Sequence, residues 1–279
     1  MTLPAIHSLW IGERLNRLHR ACLKSFLLHG HKVILHVYQN VENIPEGIDI
    51  CDANDLIHES EIFRHRSGSL GLFSDIFRFK ILLENDGVMW VDTDVFCLRP
   101  FDFKDKYIIG ANSDDNGNLY INGCVLRIPS DSPLLDKLFR LWRHPEDALN
   151  FVPHNKVRLI KLLLWFGIRS SISQYPFAVA ASSGFLYYMT RLKLLDMLKI
   201  PHPFEPLSTH ELFEDKFKLE YFLKEGNYSF HFFQSLANER FIDKPEPDSA
   251  YDWCLLQTGE HPLLEPAELK PEIDITPGK

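Results

Sequence analysis

Val88-Met89-Trp90-Val91-Asp92-Thr93-Asp94 is a run of four apolar residues that ends in two carboxylates two positions apart. A short apolar run bounded by a turn reads as a strand buried on both faces, the kind that fills a parallel sheet. The turn is Asn85-Asp86-Gly87, which also closes a helical stretch running from Asp75 to Glu84, with Ser74 as its expected cap. Upstream, Ile6 to Trp10 predicts a strand. The spacing of Leu15, Leu18, Cys22, Phe26 and Leu27 predicts a helix stopping near Gly30, and Val33 to Tyr38 predicts a second strand. Strand, helix, strand order implies parallel neighbours joined by right-handed crossovers. The fold class is therefore α/β, with a mostly parallel sheet flanked by helices.

Further strands are expected at Tyr107 to Ala111, Leu119 to Ile128 and Tyr228 to Phe233, and helical additions near Leu134 to Trp142, Lys156 to Trp165 and Phe185 to Leu198. The polar stretch from Gly47 to Ser60 reads as irregular, leading to a helix around Ile62 and Phe63. Residues 1–245 are expected to form a single domain. Beyond them, 246–279 is rich in Pro, Glu and Asp and reads as a loosely ordered tail.

Bulk properties narrow the function. The 279 residues include 45% hydrophobic and 24% charged side chains, enough for a sizeable core. A net charge of -8 argues against a nucleic-acid partner, because phosphate backbones are gripped by basic surface. The five cysteines, Cys22, Cys51, Cys97, Cys124 and Cys254, are odd in number and widely spaced, unlike zinc or redox pairs, and read as free thiols of a cytoplasmic protein. The N-terminus has neither a basic start nor a long apolar run, so no signal peptide or membrane anchor is expected there.

On an extended chain, side chains two apart point the same way, so Asp92 and Asp94 can face one site at the carboxyl end of their strand, where open α/β sheets bind ligands. Two carboxylates together repel unless a proton or cation lies between them. Mg2+ or Mn2+ suits hard oxygen ligands and commonly keeps substrate phosphate in its shell, which points to a diphosphate-bearing substrate. Aspartate is also frequent in plain turns after strands. Asp75 and Arg78, three apart on the preceding helix, share a face. They read equally as a self-satisfied surface pair or as a fork for phosphate or carboxylate.

Taken together, Ser74-Asp75-Ile76-Phe77-Arg78-Phe79, Leu82-Leu83, Asp86-Gly87-Val88 and Trp90-Val91-Asp92-Thr93-Asp94-Val95 resemble the sugar-binding DXD region of glycosyltransferase family 32. That family is related to the α-1,4-galactosyltransferases and the large glucosylating toxins. Ile6 to Gly12 is similar to its opening strand, and Asn122-Gly123-Cys124 to the segment carrying an Asn near the donor sugar. Ser182-Ser183-Gly184, Pro203-Phe204-Glu205-Pro206 and His231-Phe232-Phe233-Gln234-Ser235 resemble later motifs. Asp86-Gly87 stands where the family usually has Gly-Gly, and Leu236 where it usually has Trp.

The resemblance implies a GT-A type fold and a retaining, metal-dependent transfer of a hexose from a nucleotide sugar, UDP-linked by preference, to a glycan or glycolipid acceptor, as in bacterial surface polysaccharide or lipopolysaccharide synthesis. It implies that Trp10 stacks on the donor base and that Asn122 lies near the donor sugar. Asp75 and Arg78 would hold that sugar, with Arg78 also neutralising the diphosphate. Asp92 would contact donor ribose or sugar, and Asp94 would bind Mn2+ or Mg2+, with Ser235 or His231 completing the site.

Two other readings compete. A haloacid-dehalogenase-type phosphohydrolase also ends an apolar strand in Asp-x-Asp, but needs later acidic residues for which Asp114-Asp115 comes too soon. A non-catalytic nucleotide-sugar-binding relative would bind donor without turnover. Residues 156–166 combine Lys156, Arg158 and Lys161 with a broad apolar side, which suits either core packing or peripheral contact with the inner face of a membrane. His7 within its apolar strand reads as a core residue rather than a ligand, and His29, His31 and His36, which straddle a helix-to-strand turn, are not read as a metal cluster.

Overall fold

The computed structural model describes residues 2–113, 119–144, 147, 158, 161–162, 165–167, 184–195, 198–199, 203–204, 212–214, 226–233 and 239–263. The chain opens with β1 (Ile6–Trp10), α1 (Arg17–Leu28), β2 (Val33–Val37) and β3 (Asp49–Asp52). Next come α2 (Gly71–Glu84), β4 (Met89–Val91), β5 (Val95–Cys97), β6 (Tyr107–Ser113), β7 (Leu119–Arg127) and α3 (Pro133–Arg143). The later part contributes α4 (Gly184–Arg191), β8 (Leu198–Lys199), β9 (Pro203–Phe204), β10 (Ser229–His231), α5 (Glu239–Asp243) and α6 (Ala250–Thr258).

Among the described residues the main sheet has seven strands in the order β3-β2-β1-β4-β7-β6-β8. β1, β2, β3 and β4 run parallel, β7 is antiparallel to both β4 and β6, and β8 is parallel to β6. This is the expected α/β sheet flanked by helices. Met89, Trp90 and Val91 are all buried, as their apolar run requires, and they split between two cores. Trp90 joins Phe73, Phe77 and Leu82 of α2 on one face, while Met89 and Val91 join Leu23 and Phe26 of α1 on the other. The chain leaves β1 towards β2 on one side and returns through α2 to β4 on the other. β1 and β4 therefore flank the point where strand order reverses, where such sheets form a ligand crevice. A second sheet, β5-β10-β9, stacks the later chain against this edge, with β10 antiparallel to β5.

Several local expectations are corrected. Within 47–60 the chain forms β3, an edge strand whose sequence Asp-Ile-Cys-Asp is too exposed to carry a hydrophobic pattern. Around Ile62 there is a single 3-10 turn at Glu59–Glu61, not a helix. Ser74 does not cap α2: that helix begins at Gly71, where the Ser69 hydroxyl accepts from the Gly71 amide. The helix near Phe185 ends at Arg191, well before Leu198.

Past residue 245 the chain is not merely loose. The Ser249 side chain caps α6, which buries Tyr251, Cys254 and Leu255. Glu260 then holds this end on α1, its carboxylate 2.7 Å from Arg20 and 3.0 Å from Lys24, while Arg17 donates to its backbone oxygen. Among the described residues no helix is long and apolar enough to cross a membrane. In the 156–166 segment, Arg158, Lys161, Leu162, Trp165 and Phe166 are described, and all are exposed; the others lie outside the described residues, as do Asp114 and Asp115.

His7 and His36 form a buried pair across β1 and β2, His7 Nδ1 and His36 Nε2 being 3.0 Å apart. Burial lowers both from an ordinary 6.5 to about 4, helped at His7 by Lys32 and at His36 by His7. Because the folded pKa values lie below the unfolded ones, the unfolded chain takes up protons that the folded chain refuses as the pH falls below 6.5. Stability is thus complete above that pH and declines towards 4. Between pH 6.5 and about 5 the urea midpoint of the wild type should fall relative to that of a His7→Leu/His36→Leu variant, a comparison in which the opposing titration of the buried Asp75 cancels. Identical pH profiles for the two proteins would contradict the assignment.

Candidate metal centre

β4 delivers Asp92 and Asp94 just past its C-terminal end, and the backbone there is tied down on both sides. The Asp92 amide donates to Cys124 O of β7 at 2.8 Å, and Phe232 N donates to Asp94 O at 3.0 Å. β10 is paired so that His231 lies opposite Val95, which brings its imidazole beside Asp94, Nε2 to Oδ1 3.5 Å. Ligand atoms from Asp92, Asp94 and His231 all lie within 4.8 Å of one another. Two carboxylates and one imidazole converging in this way suit a divalent cation of the manganese or magnesium class, with His favouring the softer Mn2+. Asn122 joins the cluster, with Nδ2 3.3 Å from His231 Nδ1 while its Oδ1 accepts from Cys124 N at 2.9 Å.

Electrostatics at the site favour positive charge. Burial pushes Asp92 above the ordinary carboxylate range; Arg78 opposes that shift and Asp94 adds to it. Burial works against protonation of His231, yet the adjacent Cys124 sulfur and Asp94 carboxylate outweigh it and raise its pKa well above the ordinary value. The imidazole thus answers the same demand for a cation that a metal would answer. The Phe233 ring packs against it at a tilt, with centroids 3.8 Å apart, from a left-handed backbone at φ 47° that non-glycine residues seldom adopt.

Asp75 and Arg78 do not form a self-satisfied pair at the helix surface. Both are 5% exposed, and Arg78 Nη2 lies 3.1 Å from Asp75 Oδ1 and 3.1 Å from Asp92 Oδ1, so the guanidinium bridges α2 to the end of β4. Burial raises Asp75 to about 6 against the pull of Arg78, and its Oδ2 has no hydrogen-bond partner among the described residues. Trp10 lies at the end of β1 against His19 of α1, ring centroids 4.4 Å apart, and its buried Nε1 also has no partner among the described residues. The structure therefore brings together Asp75, Arg78, Asp92, Asp94, Asn122 and His231. Ser235 lies outside the described residues, as do Ser182, Ser183, Glu205, Pro206, Gln234 and Leu236.

Three residues of the site were not identified from sequence. Trp90 Nε1 donates to Asp92 Oδ1 at 2.7 Å, and Arg78 Cζ lies 5.3 Å from its ring centroid. The two-residue period that pairs Asp92 with Asp94 also puts Trp90 on their side, so the signal was present. Gly123 is the second. β7 bulges where pairing jumps from Ile109↔Leu126 to Gly110↔Asn122, and a Cβ at Gly123 would fall 2.2 Å from Arg78 Nη1. Glycine is what lets the guanidinium come this close to that backbone. The third, His19, sits on a helix whose apolar spacing drew attention to its neighbours. Of the histidines set aside from the sequence, His7, His31 and His36 are buried fixtures, while His29 is the half-buried C-cap of α1. His31 Nε2 accepts from Phe101 N at 3.0 Å and its Nδ1 donates to Pro4 O at 3.0 Å, and His36 pairs with His7.

No family model matches the chain, and no curated protein does. Among solved structures, it is similar to the UDP-bound glycosyltransferase domain of the YGT toxin, at 10% identity over 71% of this chain and 79% of that one, TM-score 0.46. It is also similar to the bifunctional glycosyltransferase WbbM at 8% identity, spanning 90% of this chain but only about half (51%) of that one, TM-score 0.44. The galactosyltransferase LgtC, in complex with donor and acceptor sugar analogues, matches at 13% identity over 86% of this chain and 94% of that one, TM-score 0.38. With TM-scores below 0.5, the chemistry of the site is read from its own geometry.

Gly123→Ala should force Arg78 off at least one of its two carboxylates and leave charge buried without its partner. The expected loss is about 2 kcal/mol in urea unfolding. A stability unchanged from wild type would mean that the guanidinium moves freely.

Proposed function

We propose that the chain is a metal-dependent glycosyltransferase that moves a hexose from a nucleotide-sugar donor, UDP-linked by preference, to a glycan or glycolipid acceptor. The observation that carries this reading is the convergence of Asp92, Asp94 and His231 on one point at the crevice between β1 and β4. It fits the resemblance to the DXD region of glycosyltransferase family 32 and a GT-A type domain over residues 1–245. Mn2+, or Mg2+, would be held by Asp94, Asp92 and His231, Ser235 being the other candidate ligand. Bound there, the ion supplies positive charge where the leaving diphosphate becomes more negative.

The protein's own residues set the rest. Arg78 fixes the orientation of Asp92 and adds charge beside the diphosphate, and Asp75 Oδ2, buried and without a partner, accepts from a donor-sugar hydroxyl. Asp92 contacts donor ribose or sugar, Asn122 lies near the donor sugar, and Trp10 stacks on the base. With Asp75 and Asp92 both bound to Arg78, neither is a free nucleophile, so departure and attack on one face of the sugar, with retention of configuration, is favoured over a covalent intermediate. The same pairing disfavours the phosphohydrolase alternative, in which the first Asp must attack phosphorus.

Exposed Leu162, Trp165 and Phe166 next to Arg158 and Lys161 favour peripheral contact with the cytoplasmic face of a membrane, where a glycolipid acceptor for surface polysaccharide or lipopolysaccharide would lie. Trp165→Ser/Phe166→Ser should abolish salt-sensitive sedimentation with anionic vesicles while leaving donor hydrolysis intact. A wild-type protein that ignores such vesicles at low salt rejects the contact.

Asp92→Asn and Asp94→Asn should each reduce metal-stimulated release of UDP from a sugar donor by at least about a thousandfold. Asp94→Asn should also remove Mn2+-dependent thermal stabilisation by UDP. Full activity in either variant, or equal activity in the presence of a chelator, would sink the proposal.

A further inference from the structure

The geometry points to His19 as a positioning residue that holds the Trp10 indole and the Asp92-Thr93-Asp94 turn in fixed register, so that base and metal are bound as one unit. The inference rests on the glycosyltransferase reading above. His19 is 2% exposed and sits in the first turn of α1. Its backbone amide donates to the Asn16 side chain at 3.1 Å, the bond that caps the helix, so the ring's starting point is set by the cap itself. From there Nδ1 lies 3.2 Å from the carbonyl oxygen of Thr93, the residue between the two carboxylates. A carbonyl can only accept, so Nδ1 carries the proton.

The ring of His19 lies 4.4 Å, centroid to centroid, from the Trp10 indole, at an interplanar angle of 58°. Gly12 also approaches the indole closely: a Cβ there would be 3.1 Å from Trp10 Nε1, so the side-chain-free backbone and the imidazole both limit where the indole can sit. One side chain therefore touches both halves of the site, by a hydrogen bond to the turn and by ring packing to the indole. Arg78 and Trp90 anchor the Asp92 side chain from the α2 side of the sheet, whereas His19 holds the turn from the α1 side. α1 is itself braced by Glu260 through Arg17, Arg20 and Lys24, so the ring approaches the turn from a fixed support.

The two contacts can be separated. His19→Asn keeps a donor near the Nδ1 position and removes the ring; His19→Phe keeps a ring against Trp10 and removes the donor. Mn2+ binding to the full-length protein is followed by electron paramagnetic resonance, and UDP binding at saturating Mn2+ by calorimetry. His19→Phe should weaken Mn2+ about tenfold with less than about a twofold effect on UDP, and His19→Asn should weaken UDP about fivefold and leave Mn2+ near wild type. Either variant behaving as wild type for the ligand it should weaken overturns the inference. So does an equal loss of both ligands in both variants, or failure of both to fold, since His19 would then be ordinary core. A wild-type protein that binds neither Mn2+ nor UDP would instead bring down the glycosyltransferase reading itself.

Discussion

Arg78 in its buried position is the constraint around which the rest of the site is arranged. A guanidinium at 5% exposure is tolerable only with carboxylates against it, and two buried carboxylates are tolerable only with a cation between them. Asp75, Arg78 and Asp92 satisfy each other at 3.1 Å contacts, and the glycine at 123 gives the guanidinium room. Asp94 stands on the outer side with His231, so negative charge accumulates where the β1–β4 crevice opens. A divalent cation at that point would offset the negative charge that one guanidinium, set against two carboxylates, leaves over.

The fold serves this arrangement by dividing the work between two sheets. The main sheet brings a rigid, fully buried strand to the crevice and ends it in the two carboxylates. The small sheet returns a segment more than a hundred residues later in the chain and sets His231 beside Asp94 through the pairing of β10 with β5. The Asp92, Asp94 and His231 cluster therefore forms only when both sheets are formed, which links late-chain folding to the assembly of the candidate site. The C-terminal helix adds to the same linkage, because Glu260 braces α1, and α1 carries the ring that touches both Trp10 and Thr93.

Much of this was readable from local sequence, because local rules act over a few residues. An apolar run buried on both faces announces a parallel strand, and the two-residue period of that strand aligns Trp90, Asp92 and Asp94. A three-residue step along a helix aligns Asp75 with Arg78. The edge strand at Asp49–Asp52 and the helix at Ala250–Thr258 escaped that reading for opposite reasons. The first is too exposed to need a hydrophobic pattern, and the second hides a buried face behind an acidic, proline-rich approach.

By itself the sequence determined the α/β class, the strand that carries the carboxylates, and the pairing partners that share a helix face, since each depends on residues near one another along the chain. Only the tertiary structure decided that Arg78 faces inward to Asp92 rather than outward to solvent, that Gly123 makes room for it, and that His231 and His19 stand on either side of the turn. Those contacts join residues between 14 and 137 positions apart. No local periodicity encodes them: they follow from strand order, from the bulge in β7 and from the packing of α1 and α2 on opposite faces of the sheet.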